Sequence, residues 1–283
     1  MRFFYFYPVL NNKPIGIFDS GYGGLTVFRS IIDQLPQYDY IYLGDNNRAP
    51  YGNRSFKTIH DYTWECVQWL FKQGCPLVIL ACNTASAKAL RTIQQRDIKN
   101  DPEKRVLGVI RPTAEVIGNY TKTNDIGVLG TDGTIQSGSY LLEIEHFFPE
   151  VKVHQQACPL WVPLIETGEY DDPGADYYVK LYLDQLLARS VKIDTVLLAC
   201  THYPLLIDKI RAHLPAHINI VSQGDIVAQS LLDYVKRHPE INEKLTQTQS
   251  RKFYTTSDDT ADFDHHASMF FSAPVKSKYV SVK

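Results

Sequence analysis

Two stretches 118 residues apart limit what this chain can fold into. VILACNTAS (Val78–Ser86) and VLLACTHYP (Val196–Pro204) each run apolar into a cysteine, Cys82 and Cys200, and then turn polar. A run that is apolar on both faces suits a central parallel strand covered by helices on either side. A cysteine closing such a run sits at the strand's C-terminal end, facing the crevice where open α/β sheets bind ligands. Two such ends predict chemistry brought to a ligand from two sides.

The rest of the chain fits the same plan. IGIFD (Ile15–Asp19), the turn SGYGG and the helical LTVFRSIIDQL form a strand, a glycine turn and a helix, the opening unit of an α/β fold. Gly21, Gly23 and Gly24 would let backbone approach a ligand; the plainer alternative is a tight turn capped by Asp19 or Ser20. Tyr40–Leu43 predict a second strand, followed by the polar loop GDNNRAPYGNRS. In that loop Tyr51 is a candidate pocket wall, Arg48 a candidate anion contact and Asp45 a candidate loop cap. Lys57–Lys72 show helical spacing with Trp64, Val67, Leu70 and Phe71 on one side, and Asn83 or Thr84 is expected to cap the helix after Cys82. IGVLGTDG (Ile126–Gly133) echoes IGIFDSGYG at an offset of 111, close to the 118 that separates the cysteines. A shared order of elements at nearly one offset predicts duplicated halves.

Composition narrows the partners. At 283 residues the chain can form one large or two modest domains, and 44% hydrophobic with 21% charged residues is ordinary for a globular protein. A formal charge of −2 without a Lys/Arg run lacks the footprint of a nucleic-acid binder, so a small-molecule partner is expected, with no membrane role. MRFFYFYPVL is too short and too interrupted for a signal peptide or a span, and is expected to cover a core edge or a subunit contact, as in a homodimer. Five cysteines without regular spacing or an export signal favour reduced thiols and a cytoplasmic location.

Cys82 and Cys200 admit three readings. They could be small core residues at strand edges. They could be metal ligands with His202, but no C-x-x-C pair is present and His202 belongs to no H-x-x-x-H pair. They could be an acid–base pair: a thiolate on one face of a carbon acid removes a proton while a thiol on the other face supplies one, and the configuration inverts. A duplicated fold with one cysteine from each half suits that task. Glu166, beside Gly168 in a segment otherwise apolar, is a candidate to reach the same pocket.

IFDSGYGGLTV, YLGDNNRAPYG, ACNTAS, GVLGTDGTIQSGSY, ACPLWVPLIE and ACTHYPL, spread from Ile15 to Leu205, together resemble glutamate racemase of the cofactor-independent aspartate/glutamate racemase superfamily. The resemblance implies an α/β fold of two similar three-layer domains with largely parallel sheets, related by pseudo-two-fold symmetry, with the active site in the cleft between them. The C-terminal segment would return to the first domain, giving residues 1–109 with 222–283 as one domain and 110–221 as the other. It implies interconversion of L- and D-glutamate for bacterial peptidoglycan, with neither pyridoxal phosphate nor metal. Cys82 and Cys200 would be the catalytic thiols, assisted by Asp19 and His202 respectively. Ser20, Asn83, Thr84 and Thr201 would hold the substrate's amino and carboxylate groups, Tyr51 and Gly52 would line the pocket, and Glu166 would lie nearby; Thr131 and Thr134 fall in a matching motif. Gly130 and Ser139 stand where alanine is expected, and Thr113 where glycine is usual. Ser86 and His202 favour the glutamate branch over sister racemases that carry His and Glu there. The alternatives are a racemase for aspartate or another small acid, or a non-catalytic carboxylate- or phosphate-binding module.

Overall fold

In a computed structural model, which describes residues 13–283, two parallel sheets carry the chain. The aromatic segment Met1–Leu10 lies outside the described residues. The first half supplies β1 (Ile15–Asp19), β2 (Tyr40–Gly44), β3 (Leu77–Leu80) and β4 (Arg105–Gly108). The second supplies β5 (Asp125–Gly130), β6 (Lys152–Ala157), β7 (Thr195–Ala199) and β8 (Asn219–Val221), and β9 (Arg251–Thr255) and β10 (Ser277–Tyr279) follow. One sheet has the order β10-β9-β2-β1-β3-β4 and the other β6-β5-β7-β8. Every pairing is parallel.

Within those orders β2-β1-β3-β4 and β6-β5-β7-β8 are the same arrangement, strand for strand. IGIFD and DIGVLG therefore occupy equivalent central positions, as do the strands that lead to the two cysteines. The central strands β1, β3, β5 and β7 are buried at every residue, which explains why their sequences are apolar without alternation. β9 lies beside β2, with Tyr42 opposite Phe253, so the C-terminal segment extends the first sheet.

Helices cover the faces. α1 (Gly24–Gln34) buries Leu25, Val27, Phe28, Ile31 and Ile32, and α2 (Phe56–Lys72) begins with Ser55 accepting from the Thr58 amide at 3.1 Å. The buried stripe of α2 is Ile59, Thr63, Cys66, Val67 and Leu70, whereas Trp64 and Phe71 of the expected face are only half-buried. Their bulk packs edge to face at the rim instead, with ring centroids 6.4 Å apart. In the second half Trp161 is fully buried against Tyr203 and Tyr182, at centroid distances of 4.7 and 6.1 Å. That packing fixes the short helix Trp161–Glu166, whose last residue faces the other half of the molecule.

Candidate active site

The C-terminal strand ends of the two sheets meet around a cavity of about 140 Å³. Parallel pairing sets what comes together. Phe18 lies opposite Leu80, so Asp19 and Cys82 end neighbouring strands of one sheet. Gly130 lies opposite Ala199, so Thr131 and Cys200 do the same in the other. Ser20, Tyr51, Gly52, Cys82, Asn83, Thr84, Glu166, Cys200, Thr201 and His202 all line the cavity. Asp19 stands behind them, fully buried. Each cysteine is 6% exposed, so the two thiols meet solvent only through a narrow opening.

Hydrogen bonds across the cleft hold the halves in register. The Gly133 amide donates to the Gly52 carbonyl at 2.7 Å, and Thr84 Oγ1 lies 3.0 Å from Thr131 Oγ1. Thr26 donates its hydroxyl to the Thr201 carbonyl at 3.0 Å. Gly23 has a steric reason to be glycine, because a Cβ there would sit 2.4 Å from both Nδ1 of His202 and Oγ1 of Thr201.

The two thiols have unlike surroundings. Sγ of Cys82 lies 3.4 Å from Ser20 Oγ and accepts from the Ala85 amide at 3.5 Å, so the cysteine itself caps α3 (Asn83–Lys88). Asn83 and Thr84, the expected caps, lie inside the first turn and are free for other partners. Burial, with the nearby Asp19 carboxylate, pushes the Cys82 thiol up to about 12, despite the Ser20 and Ala85 donors. It therefore holds its proton at neutral pH. Sγ of Cys200 lies 4.0 Å from Nδ1 of His202, whose Nε2 is 3.0 Å from Oε1 of Glu166. Burial pulls His202 down, but its bonds to Cys200 and Glu166 and their charges outweigh burial and raise it from 6.5 to about 10. A buried imidazolium thus stands between a sulfur and a carboxylate. Burial also raises the Asp19 carboxyl, against the charge of His202 and the amides of Gly24 and Gly21. Asp19 accepts from the Gly21 amide at 3.0 Å, while the side chain in direct contact with Cys82 is Ser20.

The raised His202 has a thermodynamic consequence. The folded state keeps a proton that the unfolded chain releases above about pH 6.5, so this stabilisation is complete below 6.5 and lost as pH rises towards 10. Urea midpoints should therefore fall between pH 6.5 and 9 in the wild type, and the fall should be shallower in His202→Asn. Equal slopes for the two proteins would contradict the paired imidazolium.

Several sequence expectations resolve differently. Arg48 does not line the cavity: its Nε donates to Asp45 at 2.7 Å, its Nη1 pairs with Glu65, and its guanidinium lies 4.3 Å over the Tyr62 ring. Tyr51 donates to the same Asp45, so it gives the cavity its ring and not its hydroxyl. Ser86 is buried outside the cavity, donating to the Leu80 carbonyl at 2.9 Å and accepting from the Val109 amide. Asp132, Asn53, Pro50, Cys158, Pro159 and Val162 line the cavity without having been singled out as site residues. For Asp132 the cue was available, since the echo between halves sets Thr131 at the place of Ser20 and Asp132 directly after it.

Two parallel α/β sheets of equivalent strand order, sharing one strand-end cavity, define a class, and the match of residues 15–231 to the Asp/Glu/Hydantoin racemase model places this chain in that family. Within the family it is similar to glutamate racemases. The one from Persephonella marina is 44% identical over 251 residues, covering 88% of this chain and 90% of the relative. A solved glutamate racemase isoform from Bacillus anthracis superposes with a TM-score of 0.86 at 35% identity, over 96% of this chain and 98% of that one. The glutamate racemase from Francisella tularensis, solved in complex with D-glutamate, gives 0.84 at 31% identity over 96% and 99%.

Proposed function

We propose that this protein racemises glutamate by a two-base mechanism in which Cys82 and Cys200 address opposite faces of Cα. The observation that carries the reading is one thiol from each half, at equivalent strand ends, lining one small cavity. In one direction a sulfur takes the α-proton while the opposite thiol delivers its own to the other face; in the reverse direction the roles exchange. Cys82, held as the neutral thiol, suits delivery, and the His202 cation beside Cys200 favours negative charge developing on that sulfur as a proton leaves.

His202 is the only basic side chain lining the cavity among the described residues. The substrate's carboxylates would therefore be met by hydroxyls and amides, with Ser20, Asn83, Thr84 and Thr201 as the proposed contacts and Thr131 beside them. Neutral donors held in place by the fold stabilise charge without reorganising during the reaction. Tyr51 and Gly52 would form the wall, Asp19 would act electrostatically behind Cys82, and Glu166 would hold His202. The relatives' names support glutamate over aspartate. Polarimetry on both enantiomers of a panel of acidic and neutral amino acids tests the choice. Glutamate should racemise fastest; a faster aspartate would overturn the assignment.

The product of this reaction would supply D-glutamate to bacterial peptidoglycan, and we place the protein in the cytoplasm as a homodimer. No helix of the described residues is long and apolar enough to cross a membrane, and exposed Leu142 and Tyr177 are the kind of apolar surface a subunit contact covers. Residues 1–109 with 222–283, and 110–221, are the proposed domains, in keeping with β9 pairing on β2.

A further inference from the structure

Behind the cavity wall, buried side chains close a ring of hydrogen bonds whose direction is set by one hydroxyl. Thr113 donates to the Val109 carbonyl at 2.8 Å, so its oxygen is left to accept. It accepts from Nε2 of Gln223 at 2.9 Å, which fixes the orientation of that amide. The same Nε2 donates to the Tyr140 hydroxyl oxygen at 2.6 Å. Tyr140 then gives its single proton to Oδ1 of Asn83, also at 2.6 Å. Nδ2 of Asn83 donates to Oε1 of Gln223 at 2.7 Å and closes the ring. Asn83, Thr113, Tyr140 and Gln223 are all buried.

Each step forces the next. A flipped Asn83 amide would set its Oδ1 against Oε1 of Gln223, two acceptors at hydrogen-bonding distance with no proton between them. The ring also gathers distant parts of the chain. Asn83 opens α3 after β3, Thr113 and Tyr140 belong to the helices Ile110–Ala114 and Ser139–Phe147, and Gln223 precedes the helix Gly224–Arg237 at the crossing out of β8.

We propose that Gln223 is a positioning residue for racemisation. Directly and through Tyr140 it locks the side-chain amide of Asn83, so that the remaining N–H of Nδ2 and the remaining lone pair of Oδ1 have fixed directions in the wall of the cavity. The inference rests on the reading of that cavity as the substrate site. A polar group held this way costs no reorganisation when the substrate's charge shifts, and a satisfied buried network is rigid.

A double-mutant cycle tests the idea, because a positioning residue loses its effect when the residue it positions is removed. Gln223→Leu should lower kcat/KM for glutamate about tenfold, as expected for unpairing a buried amide, mostly through kcat. In an Asn83→Ala background the same change should cost almost nothing. Tyr140→Phe should act in the same direction, and it carries the cycle if Gln223→Leu does not fold. A second readout does not depend on turnover: the Asn83 side-chain amide protons, followed by ¹⁵N NMR, should exchange slowly with solvent in the wild type and faster in either variant. A tenfold loss that persists without Asn83, a loss confined to KM, an Asn83→Ala variant with wild-type turnover, or amide exchange unchanged in both variants would each overturn the proposal. If the wild type leaves glutamate unracemised while the amide signal responds as expected, the functional reading fails and the positioning of Asn83 stands.

Discussion

Replacing Cys82 or Cys200 with alanine should lower glutamate racemisation by about 10²–10⁴-fold in both directions, the usual contribution of a positioned acid or base. Both directions suffer because each sulfur is base in one and acid in the other. What survives should differ between the variants. The remaining thiol can still take the α-proton from the enantiomer that presents it and return one to the same face. Each variant should therefore exchange the α-proton of one enantiomer without inverting it, and the two should choose opposite enantiomers. NMR of the α-proton in D₂O separates exchange from inversion. Wild-type racemisation by either variant would end the two-base assignment. Folding should be little affected, since the sulfur of Cys82 makes only long hydrogen bonds, of 3.4 and 3.5 Å, and that of Cys200 one of 4.0 Å.

The second large effect concerns the unequal assistants. Asp19→Asn and His202→Asn should each reduce turnover by about 10²-fold, the lower end for acid–base groups, since each acts through a sulfur. The losses should be lopsided in a particular way. Enantiomers are equal in free energy, so kcat/KM must fall equally in both directions, and the asymmetry appears in the isotope effect instead. Weakening one cysteine makes its proton transfer the slow step, so the primary deuterium effect should grow for the enantiomer which that cysteine deprotonates. Asp19→Asn and His202→Asn should favour opposite enantiomers. Matching isotope effects in the two variants would contradict the division of labour. The structure adds a complication, because Asp19 also feels the charge of His202, and the side chain in hydrogen-bonding reach of Cys82 is Ser20. Ser20→Ala should accordingly reproduce part of the Asp19 pattern.

The fold was legible where local and long-range forces agree. Runs such as LVIL and TVLLA are apolar on both faces because helices cover both sides of their sheets, and the echo of IGIFD in IGVLG corresponds to central strands with the same neighbours. The candidate site was legible for a related reason: pairing sets the residues just after β1 and β3 side by side in one sheet and those after β5 and β7 side by side in the other, and the two sheets meet at those ends. Residues whose role depends on partners remote in sequence were harder to read. Arg48 looked like an anion contact, but Glu65 and Asp45 consume its charge. Ser86, which the resemblance reads as a sign of the glutamate branch, stitches α3 to Leu80 and Val109 in space. Glu166 gave only its apolar setting as a hint, and its contact with His202 crosses 36 residues. The bonds of Asn83 to Tyr140 and Gln223 span 57 and 140 residues and leave no periodic trace.

Cys82 and Cys200 began as two similar strand ends, and the central claim is that they exchange protons with the two faces of one carbon. Incubation of the purified protein with L-glutamate in D₂O, without added cofactor, tests it most directly. The account predicts D-glutamate carrying deuterium at Cα, because the proton delivered to the new face comes from a thiol equilibrated with solvent. A folded protein that leaves the α-proton of both enantiomers unexchanged would contradict it.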